Sequence, residues 1–279
     1  MKRIIKKILK YTFYRLRLII RLNLIKTVYI NFKTQSFSNA IKFPVFVYGR
    51  LKILSLKGDI IIKSPIKTGM LKIGYKYIDL FPNSLLPTQF NLSGNLIMRG
   101  NLIVGGGVYF GVERRDAILE FGANCTIGGG SVVKSTYQII CGDNVQITGE
   151  CVVMDCEMHY VKNIETGTIK RYFDKIEIQN NCWINQRAVI SKSTIIPEFS
   201  IVTRNSYLNK DYTPYGTNLL LSGSPAVPKN QKVQRIFNNN MERELGVFFR
   251  QNQDIQFIPE QKGIIDGDYN NSPIFNWLN

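Results

Sequence analysis

The stretch IEIQNNCWINQRAVISKSTIIPEFSIVTRNSYLNKD, residues 176–211, decides the fold, because it repeats every six residues. Ile178, Ile184, Ile190, Ile196 and Val202 stand six apart, and four residues after them come Cys182, Ala188, Thr194, Ser200 and Ser206. An amphipathic helix places apolar residues about 3.6 apart and a half-buried strand about 2 apart, so neither explains the spacing. One apolar and one small inward position per six residues describes one flat face of a triangular coil. Three faces make a coil of about 18 residues, and coils stack through backbone hydrogen bonds so that each apolar row covers the next.

The same period runs upstream through Phe121, Ile127 and Val133, and through Cys141, Ile147 and Val153. Cys125, Ser131, Val145 and Cys151 take the small positions there. The pairs Ala123-Asn124, Gly142-Asp143 and Asn180-Asn181 supply corners, since Gly and Asn accept positive φ. Segments 58–74 and 93–111 are β-rich and punctuated by Gly, and predict further parallel β structure. A mainly β solenoid is therefore expected over residues 50–225. It follows a basic amphipathic N-terminal segment, 1–49, and precedes a C-terminal helix and tail, 226–279.

The net charge of the 279-residue chain is +16, but it is local. The first acidic residue is Asp59, and 14 of the 36 Lys and Arg precede it, leaving 22 basic against 20 acidic residues in the remainder. The opening MKRIIKKILKYTFYRLRLIIR, residues 1–21, sets Ile5, Ile8, Leu9, Leu16, Ile19 and Ile20 on one side of a helical wheel. Arg3, Lys6, Lys7, Lys10, Arg17 and Arg21 fall on the other. Charges interrupt it too often for a membrane span or a signal peptide. It predicts contact with an anionic membrane surface through residues 1–25, or a helix packed on the body. Nucleic acid is not expected, because stacking platforms and recognised motifs are missing. The five cysteines read as buried reduced thiols, which suits a cytoplasmic protein, and the basic segment would set it peripherally on the inner face of the membrane. Cys151, Cys156 and His159 lack zinc-motif spacing, so no metal is expected.

Three segments together resemble the hexapeptide-repeat acetyltransferases, which are left-handed parallel β-helices. They are CGDNVQITGECVVMDCEMHYV (141–161), residues 176–211, and SGSPAVPKN (222–230). The resemblance is greatest to enzymes that O-acetylate sugars in cell-surface polysaccharide assembly. It implies a homotrimer, acetyl-CoA as acyl donor in a groove between subunits, and a sugar or glycan acceptor. It implies His159, the chain's single histidine, as general base. Were 155–159 extended, Asp155, Glu157 and His159 would point to one side, and either carboxylate could orient the imidazole. A backbone carbonyl or a residue of another subunit could do so too. By resemblance Trp183 packs near the acyl end of CoA, Ala188 and Ser206 line its groove, and Lys210 meets its phosphates; Arg187 and Arg204 are further phosphate candidates. N-acylation of an amino sugar and a non-catalytic solenoid scaffold stay open as alternatives.

The family usually has Gly directly after each apolar start, where this chain has Gln179, Asn185, Ser191, Pro197 and Thr203. If those were the corner positions, Pro and Thr would fit them badly. That would imply a reshaped groove, a different donor or an inactive copy. Residues 160–175 break the repeat just after His159 and are a candidate acceptor-specificity loop. Val233, Ile236, Phe237, Met241 and Leu245 predict a helix within 230–250 that caps the open end of the stack. Residues 251–279 carry no recognisable motif.

Overall fold

The structure, a computed structural model, describes residues 21–75 and 85–252. Its body is a left-handed parallel β-helix whose three faces are three sheets. Among the described residues face 1 has nine strands, from β1 (Val45–Val47) to β21 (Leu219–Gly223) and β22 (Ala226–Lys232). Face 2 has seven, from β2 (Leu51–Leu56) to β20 (Tyr207–Leu208), and face 3 has six, from β3 (Asp59–Ile62) to β18 (Ile195–Ile196). Successive strands visit the faces in turn, so each third strand pairs in parallel with the one below.

The six-residue period is the path around this prism. Ile178 and Ile196 pair on face 3, Ile184 and Val202 on face 1, and Ile190 pairs with Val153 on face 2. All of them are fully buried. Inward rows run the length of the stack, as in Phe90, Phe110, Val133, Val153, Ile190 and Leu208 on face 2. Segments 58–74 and 93–111 form parallel strands as the sequence predicts. The small positions carry buried Cys125, Cys151, Cys182, Ala188, Thr194, Ser200 and Ser206. Burial pushes the Cys125 and Cys182 thiols up to about 12 and Cys151 to about 11, so these sulfurs stay protonated.

The corners correct one expectation. Positive φ falls three residues after each apolar start, at Asn181, Arg187, Ser193, Phe199 and Asn205. Gln179, Asn185, Ser191, Pro197 and Thr203 are not in that region, so their lack of Gly carries no left-handed strain. Gly at that place serves close stacking instead: a Cβ on Gly142 would lie 2.7 Å from the backbone nitrogen of Asn180 in the next coil. One corner is stitched by asparagines. Asn124, Asn144 and Asn181 all have positive φ, and the Asn144 side-chain amide donates to Asn181 at 3.0 Å. Asn144→Ala is expected to cost about 1–2 kcal/mol in urea unfolding, and Asn144→Gly less, because Gly keeps the conformation and loses only the ladder.

Both ends differ from the expected boundaries. The first strand begins at Val45, before residue 50. Its edge is covered by α1 (Leu24–Thr34), followed by the short α2 (Phe37–Ala40). The Asn31 amide donates to the Val45 carbonyl at 2.7 Å and its oxygen accepts from the Val45 N–H at 3.1 Å. The Thr27 hydroxyl accepts from the Val47 N–H at 3.1 Å. Polar side chains thus satisfy an edge strand that would otherwise bury unpaired backbone groups. The basic helix expected over 2–21 and the tail 253–279 lie outside the described residues. At the far end, β22 reverses at Gly223 and pairs antiparallel with β21, where the sequence predicts the capping helix to begin. The helix there, α3 (Asn239–Gln251), starts later, and of its described side chains only Met241 is buried. A strand, rather than that helix, closes face 1.

Candidate active site

His159 stands on a hairpin that leaves the prism at the corner between faces 2 and 3. After β14 (Val152–Met154) the chain departs, and it rejoins at β15 (Ile176–Ile178). Antiparallel bridges join Cys156 to Phe173 and Lys162 to Ile169, and the tip turns at Gly167, whose N–H donates to the Asn163 carbonyl at 2.9 Å. The hairpin root is fixed to the stack by several contacts. Glu157 N–H donates to Tyr172 O at 2.8 Å, and Asp174 N–H to Asp155 O at 2.9 Å. The Ser193 hydroxyl donates to Asp174 at 2.8 Å, and Lys192 reaches the Arg171 carbonyl at 3.1 Å.

The chain at 155–159 is not extended. Met158 has φ 68, which breaks the alternation the sequence predicts. Asp155 is fully buried while Glu157 and His159 face solvent. The Asp155 carboxylate accepts from the Thr136 N–H at 2.7 Å, the Tyr137 N–H at 2.8 Å and the Ser135 hydroxyl at 3.1 Å. Burial pushes its carboxyl up, against the lowering pull of those donors. Both its oxygens are committed to the corner of the preceding coil, away from His159. Glu157 instead forms an ion pair with Lys192 at 3.1 Å. Among the described residues the structure brings neither carboxylate to the imidazole as a hydrogen-bond partner.

The remaining candidates divide between edges. Lys210 lies at the same corner as His159, two coils further along, or about 10 Å down the axis. Its ammonium is 3.2 Å from the Tyr215 hydroxyl and sits over the rings of Tyr212 and Tyr215. Arg187, Ala188, Arg204 and Ser206 occupy the opposite corner, between faces 1 and 2. Ala188 and Ser206 are buried, and the Ser206 hydroxyl accepts from the Gly223 N–H at 3.3 Å. Arg187 holds Glu150 at 2.8 Å and keeps that carboxyl below its ordinary value. Trp183 projects from face 1, with the Arg235 guanidinium 4.9 Å from its ring centre and its indole nitrogen buried without a hydrogen-bond partner.

Sequence reasoning missed an aromatic and cationic cluster on the hairpin that carries His159. Tyr160 packs on Tyr172 at 4.9 Å, Tyr172 on Phe173 at 5.2 Å, and Phe173 on Tyr137 at 5.4 Å. Arg171 lies over Tyr137 and Phe173, and Arg114 over Phe173. No motif links Arg114, Tyr137 and Phe173; stacking of three coils brings them together. Among the described residues no group of three His, Cys, Asp or Glu side chains could hold a metal ion.

No protein-family model matches the chain, and no curated protein matches its sequence at a significant level. Solved structures do match. The polySia-specific acetyltransferase NeuO aligns over 77% of this chain and 90% of its own, with a TM-score of 0.50 and 12% identity. The polysialic acid O-acetyltransferase OatWY aligns over 71% of this chain and 98% of its own, at TM-score 0.34 and 13% identity. AntD, an N-acyltransferase from Bacillus cereus in complex with dTDP and 3-hydroxybutyryl-CoA, aligns over 74% of this chain and 88% of its own, at TM-score 0.33 and 13% identity. What the NeuO match establishes is the fold: this chain is wound as the same kind of left-handed parallel β-helix as that acetyltransferase.

Proposed function

We propose that this protein is an O-acetyltransferase that moves the acetyl group of acetyl-CoA to a sugar hydroxyl of a cell-surface polysaccharide or its precursor. One observation carries the reading: the chain's single imidazole, solvent-facing, stands on a hairpin of a β-helix shared with a polySia-specific acetyltransferase. A neutral His159 takes the hydroxyl proton as the sugar oxygen attacks the thioester carbonyl. The C–S bond then breaks, and the imidazolium returns the proton to the departing CoA sulfur. Backbone N–H groups held by a rigid coil are suited to the oxyanion between these steps.

The division of candidates between edges supports a homotrimer as the working form. His159 and Lys210 occupy one corner of the prism, and Arg187, Ala188, Arg204 and Ser206 another. On one protomer the two sets lie on either side of face 2, and a crevice between neighbours would set one protomer's first set opposite the other's second. Glu157 is paired with Lys192, which leaves a backbone carbonyl or a group of the neighbouring protomer to orient His159. Trp183 on face 1 packs against the acyl donor in the same crevice. Residues 1–25 bring the enzyme to the anionic inner face of the cytoplasmic membrane, near glycan precursors carried on lipid.

The test supplies acetyl-CoA and a panel of sugars to the purified full-length protein and follows thiol release. Release dependent on both substrates supports the reading, as does an alkali-labile product. An alkali-stable product would assign N-acylation, and absence of CoA binding by calorimetry at millimolar CoA would leave a scaffold. Glu157→Gln gives a sharper check. It removes a half-exposed ion pair, so kcat is expected to stay within about tenfold of the parent. A loss of several thousandfold would restore Glu157 as the orienting group.

A further inference from the structure

The helix Leu24–Thr34 turns more large apolar side chains outward than inward, unlike an ordinary surface helix. Its buried side is Thr27, Ile30 and Asn31: Ile30 joins the core, and the two polar residues hold the first strand. Its outer side carries Leu24, Ile25, Val28, Tyr29 and Phe32, spaced as one helical stripe, and all five are exposed. Phe37 and Ile41 extend that surface beyond the helix, and Ile25 is 83% and Phe37 74% accessible. A contiguous apolar surface of this kind on a folded end marks an interaction site.

Charge selects the occupant. Seven Lys and Arg lie within residues 1–20, and no acidic residue precedes Asp59. Arg21, Lys33 and Lys42 are exposed beside the apolar stripe. The Thr68 hydroxyl donates to the Lys42 carbonyl at 2.9 Å, which brings the first coil's corner, with exposed Lys63 and Lys67, to the same end. A second copy docking here would set cations against cations. An anionic bilayer offers an apolar interior for the stripe and negative headgroups for its rim.

We propose that this outer face, from Leu24 to Ile41, docks onto an anionic lipid bilayer, with the solenoid standing end-on. This goes beyond contact through residues 1–25. It makes the folded cap part of the anchor and sets the axis of the prism upright. The hairpin bearing His159 leaves between β14 and β15, four coils above the first, so the reacting centre is held about 19 Å along the axis from the cap.

Full-length protein is floated with phosphatidylcholine vesicles, with and without about 30% phosphatidylglycerol. Two variants accompany it: Ile25→Ser with Phe32→Ser and Phe37→Ser, and one in which the Lys and Arg of residues 1–21 become Gln. All three serines replace exposed side chains, and unchanged circular dichroism confirms folding. The triple variant is expected to lower partitioning onto anionic vesicles by about tenfold or more while residues 1–21 are intact. The parent is expected to bind anionic vesicles well above neutral ones, and to lose that preference in high salt. Unchanged partitioning of the triple variant, with loss only in the Gln variant, would overturn the inference and leave residues 1–21 as the sole anchor. Equal binding to neutral vesicles would overturn the choice of an anionic surface. A triple variant that changes oligomeric state in solution would show the face to be covered by a second copy. Thiol release from soluble sugars reads the catalytic proposal separately, since it needs no vesicle.

Discussion

His159→Ala is expected to cut sugar-dependent release of CoA thiol, with kcat falling by about 10²–10⁴. The fold should be untouched. The side chain is exposed and makes no hydrogen bond or ion pair among the described residues, so nothing in the stack depends on it. Melting temperature and the far-ultraviolet spectrum are therefore expected to match the parent. CoA affinity by calorimetry should change little, because the base acts on the acceptor rather than on the donor's nucleotide end. His159→Gln keeps polarity without basicity and should fall as far as Ala. The limb of the pH–rate profile that reports a base should vanish from whatever activity persists. Turnover unchanged in both variants would remove the imidazole from the chemistry.

The fold was legible because its period is local. Six residues carry one wall and one corner, and Ile178 to Val202 keep that register over five starts. The corners at Asn124 and Asn181 are readable from their Asn, whereas the family's Gly directly after the apolar residue points too early. Stacking explains Gly at that place, as the close approach of Gly142 to Asn180 shows, and positive φ belongs two residues later. The site was legible only in part. A single His at a motif position can be read from a string. The company it keeps cannot: Tyr137 and Arg114 reach the hairpin's Phe173 through coil stacking, and Lys192 claims Glu157 from the following coil. The outward apolar stripe of α1 was hidden for a different reason. An apolar run at helical spacing reads as a core face, and it is the burial of Ile30 together with the bonds from Thr27 and Asn31 to the edge strand that shows which side is turned inward.

Asp155→Ala is expected to be the most destabilising single polar substitution near the site, at about 4 kcal/mol, or roughly 10 °C in melting temperature. It strands the Thr136 and Tyr137 N–H groups in a buried corner, together with one bond to Ser135. Asp155→Asn keeps one acceptor oxygen and removes a buried charge, so its cost should be smaller. The pH dependence separates the two effects. Burial raises the folded carboxyl above its ordinary 3.8, so the folded state takes up a proton before the unfolded chain does. This group's contribution to stability therefore falls as pH rises from 3.8 through the raised value. In Asp155→Asn that slope should flatten. Catalysis supplies the decisive contrast. If Asp155 serves only to hold the corner from which the hairpin springs, Asn at that position should keep most of kcat below its melting temperature. If it oriented the imidazole, Asn should lose kcat by about 10⁴ at unchanged fold, as loss of an orienting carboxylate does in a Ser-His-Asp triad.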